Sequence, residues 1–273
     1  MRCPGNWSLE TKLLKILFVG DVVGRIGRQA LSSQLHRLVD MHQVDLVVVN
    51  GENAAAGFGL TASIAGEMFD IGIDVITSGN HIWDKREIYE QLDSQQRLLR
   101  PANYPPGLPG RGSGLFATSS GTQVGVINLE GRVFMNNLDC PFRAADQLCE
   151  ELRQHTPIIL VDFHAEATSE KMALGCYLDG RVSAVIGTHT HVQTADERIL
   201  PGGTAYITDA GMTGSRDAVI GIRKELAIEK FLTQLPVRFE VAKKDPWLCG
   251  VLVEVDEKTG RALGIERIKQ AAD

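Results

Sequence analysis

The segment Gly187-Thr-His-Thr-His191 places two histidines two positions apart, directly after a strand-like run at residues 182–186. Side chains two positions apart in an extended chain point to the same side, so we expect the two imidazoles to lie close together. Neutral imidazole is the commonest protein ligand for transition metals. Taken alone, the pair is about equally compatible with structural or surface histidines. The residues that accompany it elsewhere in the chain favour a metal site.

The same pattern, a polar residue at the end of a strand-like run, recurs four times earlier in the chain. The residues concerned are Asp21, the pair Glu52 and Asn53, the pair Asn80 and His81, and His164. The strands of an open α/β sheet form their ligand crevice at their carboxyl ends. We therefore expect five strand ends to bring carboxylates, amides and imidazoles to one edge of the fold.

This set of side chains predicts two metal ions rather than one. A structural zinc site has four ligands and commonly includes cysteine, whereas the set here has eight members and no cysteine. Carboxylate, carboxamide and imidazole together suit iron, manganese or zinc. Two ions about 4 Å apart, bridged by a carboxylate such as Glu52, would stabilise the attacking and leaving oxygens of a displacement at phosphorus. A hydroxide between the ions would be the nucleophile.

Residues next to these candidates have predicted roles as well. Asn80 and His81 are adjacent, so we expect them on a turn, with Asn80 facing the metal and His81 facing the substrate as a general acid. Glu166 either orients His164 or is simply exposed, and Phe58 either stacks on a base or packs internally. Phosphate is commonly bound by arginine, and the sequence does not select among Arg25, Arg132, Arg143, Arg216 and Arg223.

Strand-like and helix-like segments alternate along the chain, which is typical of an α/β layer fold. Continuous apolar runs fit strands that are buried on both faces. We predict strands at residues 15–20, 45–49, 74–77, 124–128, 157–161, 182–186 and 204–208. We predict helices at residues 26–38, 61–71 (capped by Thr61), 85–91, 144–155, 168–174 and 225–235. A β-rich end is predicted at residues 238–241, 248–255 and 262–268.

Composition limits the class of protein. The 273 residues carry a formal net charge of −6, which argues against a general nucleic-acid-binding surface and leaves room only for a local basic pocket. The five cysteines are odd in number and form no C-x-x-C pair, so we expect a reduced, cytoplasmic protein. No apolar run approaches the roughly 20 residues of a membrane span. We expect residues 1–14 to be a loose extension and residues 15–273 to form a single domain.

The motifs resemble those of the calcineurin-like metallophosphoesterase superfamily, whose usual signature is D-x-H, G-D, G-N-H, a lone His and G-H-x-H. The corresponding segments here are Asp21-Val-Val23, Asn50-Gly-Glu-Asn53, Gly79-Asn-His81, His164 and Gly187-Thr-His-Thr-His191. Val23 stands where the first histidine is expected, and Glu52-Asn53 replaces the bridging aspartate motif. Those two departures together resemble the YmdB-like phosphodiesterases.

The resemblance implies a four-layer α/β/β/α sandwich with two metal ions, most often iron, with manganese or zinc as alternatives. It implies one ion held by Asp21, Glu52, Asn53 and His191, and a second held by Glu52, Asn80, His164 and His189. It also implies that His81 donates the proton, that the substrates are small phosphodiesters such as 2′,3′-cyclic nucleotides, and that the chain forms homo-oligomers.

Two other functions stay open at this point. One is a phosphomonoesterase acting on nucleotides, which turnover of a cyclic diester against its monoester product would distinguish. The other is a regulatory protein that binds a nucleotide or RNA with little turnover. The complete set of metal ligands disfavours the second alternative, because binding alone has little need of two open metal sites.

Overall fold

In a computed structural model that describes residues 12–272, the chain folds into two β-sheets with helices outside them. The strands are β1 (Leu13–Val19), β2 (Asp21–Val22), β3 (Leu46–Asn50), β4 (Val75–Thr77), β5 (Ser113–Ala117), β6 (Gln123–Glu130), β7 (Ile159–His164), β8 (Ala184–Thr188), β9 (Arg198–Ile199), β10 (Ala205–Ile207), β11 (Met212–Ser215), β12 (Pro246–Asp256) and β13 (Ala262–Ala271). The first sheet has the order β2-β11-β12-β1-β3-β4, with β13 also paired to β12. The second has the order β5-β6-β7-β8-β10-β9.

Apolar side chains of the first five α-helices pack against the outer faces of the sheets. The helices are α1 (Gly24–His42), α2 (Ala62–Asp70), α3 (Ile88–Ser94), α4 (Pro141–Leu152), α5 (Thr168–Leu178) and α6 (Lys224–Thr233), with a 3₁₀ helix at Asn80–Asp84. As predicted, Thr61 caps α2, because its hydroxyl accepts a hydrogen bond from the backbone N–H of Ile64 at 3.2 Å. None of the helices in residues 12–272 is long and apolar enough to cross a membrane.

Strand β1 shows how the layers are built. Ile16 and Phe18 pack into the layer between the two sheets, together with β7 and β8 of the second sheet. Leu17 and Val19 point the other way, into the layer under α1 and α2. This alternation follows from the two-residue period of a strand, and it explains why the run is apolar at every position. A third apolar layer lies between the second sheet and helices α4 and α5.

The predicted four-layer α/β/β/α sandwich is therefore confirmed. The parallel pairs β1–β3, β3–β4, β6–β7, β7–β8 and β8–β10 are those expected from alternating strands and helices. That residues 15–273 form one domain stays a prediction, which the apolar layer shared by the two sheets favours.

Several boundaries differ from the prediction. Strand β1 begins at Leu13, two residues before the predicted start, because Leu13 and Leu14 pair with Asp256 and Val255 of β12. The rest of the predicted loose extension is residues 1–12, of which residues 1–11 lie outside the described residues. The predicted strand at 238–241 is wrong, since this segment makes only an isolated bridge between Ile222 and Val241.

Edge strand β5 was missed. No strand was predicted there, because residues 97–114 are rich in proline and glycine and indicated a loop. Only its antiparallel partner β6 makes it a strand, and that partner follows it in the chain. Composition describes the local chain, whereas an edge strand is defined by the hydrogen bonds of its neighbour.

Candidate metal centre

The carboxyl ends of strands from both sheets meet at one site. Asp21 lies in β2 directly after β1, Glu52 and Asn53 follow β3, Asn80 and His81 begin the 3₁₀ helix after β4, His164 ends β7, and His189 and His191 follow β8. The sequence predicted five strand ends at one edge, and the structure brings these side chains together from two facing sheets. The site is therefore a cleft between sheets rather than the edge of one sheet.

One half of the site is centred on Nε2 of His164. This atom lies 3.0 Å from Oε1 of Glu52, 3.2 Å from Oδ1 of Asn80 and 3.0 Å from Nδ1 of His189. Glu52, His164 and His189 each offer a ligand atom, and those atoms lie within 4.8 Å of one another. His164 thus contacts each of the other three residues predicted to share one ion with it.

The other half of the site contains Asp21, Asn53 and His191. Nδ2 of Asn53 lies 2.9 Å from Oε1 of Glu52 and 3.3 Å from Nε2 of His191. Nε2 of His191 lies 4.0 Å from Oδ1 of Asp21. The Asn53 amide turns its nitrogen towards these groups, and a half-turn about its last side-chain bond would present the oxygen instead. Glu52 contacts both halves, as a bridging residue must.

The conformation predicted for the two neighbouring histidines is wrong. His189 and His191 have φ angles of 99° and 65°, so the chain bends at both residues instead of running extended. Between them, Thr190 donates hydrogen bonds to Oδ2 of Asp209 from its backbone N–H at 3.0 Å and from its hydroxyl at 2.7 Å. The buried Asp209 is in turn paired with Lys171 at 2.8 Å. These contacts hold the bend that turns both imidazoles into the site.

Gly79 allows the backbone after β4 to approach the ligands closely. A Cβ atom at this position would lie 2.2 Å from Cδ2 of His164 and 2.3 Å from Oε2 of Glu52. The next residues continue the contact, since the backbone N–H of His81 donates a hydrogen bond to the same Glu52 oxygen at 3.2 Å. Any side chain larger than hydrogen at residue 79 would therefore displace a candidate ligand.

The buried charges perturb one another strongly. Burial alone would raise the pKa of Glu52, but the charge and hydrogen bond of His164, with smaller contributions from His81, lower it to about 2. Burial would lower the pKa of His164, but Glu52, Asp21 and Asp162 raise it to about 9. Burial and the charge of His164 lower the pKa of His189 to about 3. The acidic groups therefore hold a proton on His164 that a bound cation would replace.

These residues fit metal ions. Oδ1 of Asp21 is fully buried and has no hydrogen-bond partner among residues 12–272, although a carboxylate oxygen in that position requires a donor or a cation. Burial also raises the pKa of this carboxyl, and the nearby His191 and His164 offset that effect only in part. Carboxylate, amide and imidazole donors without thiolate suit iron, manganese or zinc, and the donor set is large enough for two ions.

A pair of residues that the sequence analysis missed orients His164. Nδ1 of His164 lies 2.9 Å from the hydroxyl of Thr188, which donates a hydrogen bond to Oδ1 of Asp162 at 2.8 Å. Burial raises the pKa of Asp162 to about 7. Because Nδ1 is engaged in this way, Nε2 of His164 faces the site. Asp162 lies two residues before His164 on one strand, which is the only signal in the sequence for this contact.

Of the two alternatives for Glu166, orienting His164 is wrong, and the side chain is exposed. Oε2 of Glu166 lies 3.1 Å from Nε2 of His189, so Glu166 orients that imidazole and not His164. A carboxylate bonded to one ring nitrogen leaves the other nitrogen, here Nδ1, free to bind metal. The sequence placed Glu166 near His164, but the side chain reaches the neighbouring strand end instead.

His81 lies at the rim of the site rather than inside it. Its Nδ1 is 2.9 Å from Oδ2 of Asp84, which is three residues further along the same 3₁₀ helix. The ring of Phe58 meets the imidazole edge to face, with 5.1 Å between ring centroids. Asp84 was missed by the sequence analysis. Its contact fixes the ring and leaves Nε2 available for a substrate.

The site opens into a cavity of about 310 Å³. Its polar wall is formed by candidate ligands together with His81 and Glu166, and its apolar wall by Phe58, Ile220 and Phe239. Cavities of this size hold small molecules, and the mixture of one ionic and one apolar wall suits an anion attached to an apolar or aromatic body.

Known proteins resemble this chain in sequence and in fold. Residues 17–268 match the sequence model of the family described as "YmdB-like protein". A 2′,3′-cyclic-nucleotide 2′-phosphodiesterase of Bacillus subtilis (strain 168) is 52% identical over 255 residues, which are 93% of this chain and 96% of that protein. A crystal structure of a hypothetical protein from Thermus thermophilus has a TM-score of 0.88 and 42% identity, and covers 95% of this chain and 100% of that one.

A further solved structure is described as a novel phosphatase from Mycoplasma pneumoniae. It has a TM-score of 0.90 and 36% identity, and the match covers 96% of this chain and 95% of that one. The family match spans nearly all of the described residues, and the relatives match over nearly their whole length. This chain therefore belongs to the YmdB-like protein family.

Proposed function

We propose that this protein is a metal-dependent phosphodiesterase that opens 2′,3′-cyclic nucleotides at the 2′ ester and releases nucleoside 3′-phosphates. The contacts around Nε2 of His164 carry the proposal. One ligand atom each of Glu52, Asn80 and His189 lies within 3.2 Å of this nitrogen. The cleft that holds them opens on a cavity of about 310 Å³. The relative from Bacillus subtilis, named for this reaction, supports the choice of substrate.

The candidate ligands divide between two ions, for which iron or manganese is favoured by the donor types. Asp21, Asn53 and His191 would hold one ion, and Asn80, His164 and His189 the other, with Glu52 between them. When bound, the two ions would neutralise the phosphoryl oxygens and activate the attacking water.

The substrate is oriented by the two unlike walls of the cavity. The cyclic phosphate is directed to the ionic wall, and the base lies against the apolar wall, where Phe58 and Phe239 offer aromatic surface. The phosphorus is thereby held close to the ligand cluster, with the ribose oxygens at the rim where His81 lies.

His81 supplies the proton that the leaving group needs. Water loses one proton as its oxygen bonds to phosphorus, the bond from phosphorus to the 2′ oxygen breaks, and Nε2 of His81 gives its proton to that oxygen. The proton released by the water returns His81 to its protonated form through the solvent. Asp84 accepts a hydrogen bond from Nδ1 and stabilises the protonated ring before the transfer. The product keeps the phosphate on the 3′ oxygen.

Metal content and turnover of 2′,3′-cyclic AMP by the purified protein test the proposal. We expect about two metals per chain. For His81→Ala we expect unchanged metal content and a loss of about 10²–10⁴-fold in kcat. The matched control is His36→Ala, because His36 is an exposed histidine on α1 outside the cavity. Normal turnover by His81→Ala would refute the proton-donor role, and failure to load any metal would refute the metal centre.

A phosphomonoesterase is the second candidate, supported by the solved relative described as a phosphatase. It predicts that 3′-AMP is itself hydrolysed and that inorganic phosphate is released. The phosphodiesterase predicts that 3′-AMP accumulates instead. Tight nucleotide binding with full metal occupancy and no hydrolysis of either compound would contradict both and favour a regulatory binding protein.

A further inference from the structure

A second groove adjoins the candidate metal centre. It has a volume of about 310 Å³ and shares two wall residues, His191 and Ile220, with the first cavity. Its remaining wall comes from β11, β12 and β13 and from the segment that follows His191. The role proposed for the metal centre makes no use of this groove.

The second groove is lined by residue types that suit nucleotide binding, namely cations and an aromatic ring. The guanidinium of Arg216 lies over the ring of Trp247, 4.7 Å from its centroid. The indole is fixed because its N–H donates a hydrogen bond to Oδ1 of Asp245 at 2.8 Å. Lys269 adds a second cation to the same wall. Within residues 12–272, neither Arg216 nor Lys269 forms an ion pair, so both charges are free for an anion.

The strand register explains why these groups share one face. Trp247 and Cys249 are two residues apart on β12, so both point to the same side of the sheet. Lys269 is the partner of Cys249 on β13, and Gly214 is the partner of Trp247 on β11. Arg216 follows directly at the end of β11.

Arg216 is also the one arginine that the structure selects among the five phosphate-binding candidates. All five lie in the described part of the chain, and Arg216 is the only one of them that lines this groove or the first cavity. Arg223, by comparison, already pairs with Glu240 at 3.0 Å.

We propose that the second groove binds the nucleotide that precedes the reacting one, so that the preferred substrate is an RNA 3′ end carrying a 2′,3′-cyclic phosphate. This inference rests on the proposed function, because the cyclic phosphate occupies the metal centre. Arg216 and Lys269 bind the phosphate that joins the two nucleotides. The preceding base stacks on the exposed plane of the Arg216 guanidinium, which Trp247 supports from the other side.

The RNA backbone between the two sites must cross a ridge formed by His191 and Ile220. Nδ1 of His191 lies 2.9 Å from the carbonyl oxygen of Ile220. Ile220 has a φ of 46°, which is unfavourable for a β-branched residue. It is held in that conformation by the reciprocal backbone hydrogen bonds between Val219 and Ile222 at 2.9 Å. These hydrogen bonds fix the ridge, which forms a wall of both cavities.

An RNA end fits the charge of the groove better than a mononucleotide does. The whole chain carries a formal charge of −6, which repels nucleic acid in general. Arg216 and Lys269, the two unpaired cations beside the metal centre, attract a phosphate only where the RNA passes the ridge. A cyclic mononucleotide has no second phosphate to place there, whereas every RNA 3′ end has one.

The experiment compares kcat/KM for 2′,3′-cyclic AMP with kcat/KM for the dinucleotide ApA that ends in a 2′,3′-cyclic phosphate. We expect the wild-type protein to prefer the dinucleotide about tenfold, because one stacked base contributes on that order. Arg216→Ala and Lys269→Ala should each reduce the ratio towards one, chiefly through KM, and added salt should do the same. Lys258→Ala removes the same charge from the β12–β13 turn, outside the groove, and should keep the wild-type ratio.

Equal kcat/KM for the two substrates, or a ratio unchanged in both groove variants, would overturn the inference and leave the proposed function intact. If the groove variants kept the wild-type ratio of kcat/KM values but changed the oligomeric mass, the inference would also be overturned. That result would show that a second copy of the protein covers the groove. If neither substrate is turned over, the proposed function fails. Calorimetry then measures nucleotide binding to the second groove independently of turnover. Tighter binding of the 3′-phosphorylated dinucleotide than of 3′-AMP, lost in Arg216→Ala, supports the inference, and equal affinity overturns it.

Discussion

Replacing Gly79 by alanine tests whether the backbone after β4 must touch the candidate ligands. The added Cβ would lie 2.2 Å from Cδ2 of His164, 2.4 Å from its Nε2 and 2.3 Å from Oε2 of Glu52. Ordinary contact begins at 3.4 Å, so the methyl group would intrude by about 1 Å into both residues. Both side chains are fully buried, and only Glu52 adjoins the cavity, so His164 has no free space into which to retreat.

The size of the effect follows from this overlap. Overpacking a buried site by one carbon costs about 1–3 kcal/mol, so we expect Gly79→Ala to lower the unfolding temperature by several degrees. Displacing reacting groups by about 1 Å costs about a hundredfold in rate. Because Glu52 and His164 are both candidate ligands, metal occupancy should also fall. The loss of metal and rate should be larger than the loss of stability suggests.

Gly66→Ala is the matched control, because it adds the same methyl group with no atom within 4 Å of the new Cβ. Gly66 lies inside α2, where alanine is favoured over glycine by about 0.5–1 kcal/mol. We expect it to raise the unfolding temperature and to leave metal content and turnover unchanged. The assays are elemental analysis, thermal unfolding and hydrolysis of bis-p-nitrophenyl phosphate by the three proteins in parallel.

The reasoning would be refuted if Gly79→Ala bound two metals and turned over at the wild-type rate. Such a result would mean that Glu52 and His164 are displaced without consequence, and neither would then be a ligand of the working site. Loss of stability in both variants would instead point to an effect of the helix or turn, and not of the ligand contacts.

Three further outcomes are expected elsewhere in the molecule. Lys171→Met leaves the buried Asp209 without its counterion and should cost about 3–5 kcal/mol in urea unfolding, a loss that Asp209→Asn in the same chain should partly reverse. Thr61→Ala removes the cap of α2 and should cost about 1 kcal/mol by the same measurement, whereas Thr61→Ser should be nearly neutral. Burial raises the pKa of Asp162 to about 7 from 3.8, so the folded protein holds a proton that the unfolded chain has released. The contribution of Asp162 to stability, measured with a chelator as the difference between the wild type and Asp162→Asn, should therefore fall as pH rises from about 4 to about 7.

Local patterns in the sequence were sufficient for most of the framework. Apolar runs predicted the central strands, because a strand covered on both faces must be apolar at every position, as Ile16 and Leu17 illustrate. They failed at residues 238–241 and at β5, where a strand exists or not according to its neighbour. Short edge strands carry too few residues for a periodic signal.

The kinds of residue in the candidate site were likewise determined by the sequence alone, since chemistry at strand ends depends on side-chain type and position. What only the tertiary structure decided is how they meet. Two facing sheets bring Glu52 and His164 into contact, and Asp209 holds the bend that turns both His189 and His191 inwards. The same applies to the groove beside His191, whose cations come from strands far apart in the chain. Contacts between distant residues depend on packing and hydrogen bonds across layers, which no local pattern encodes.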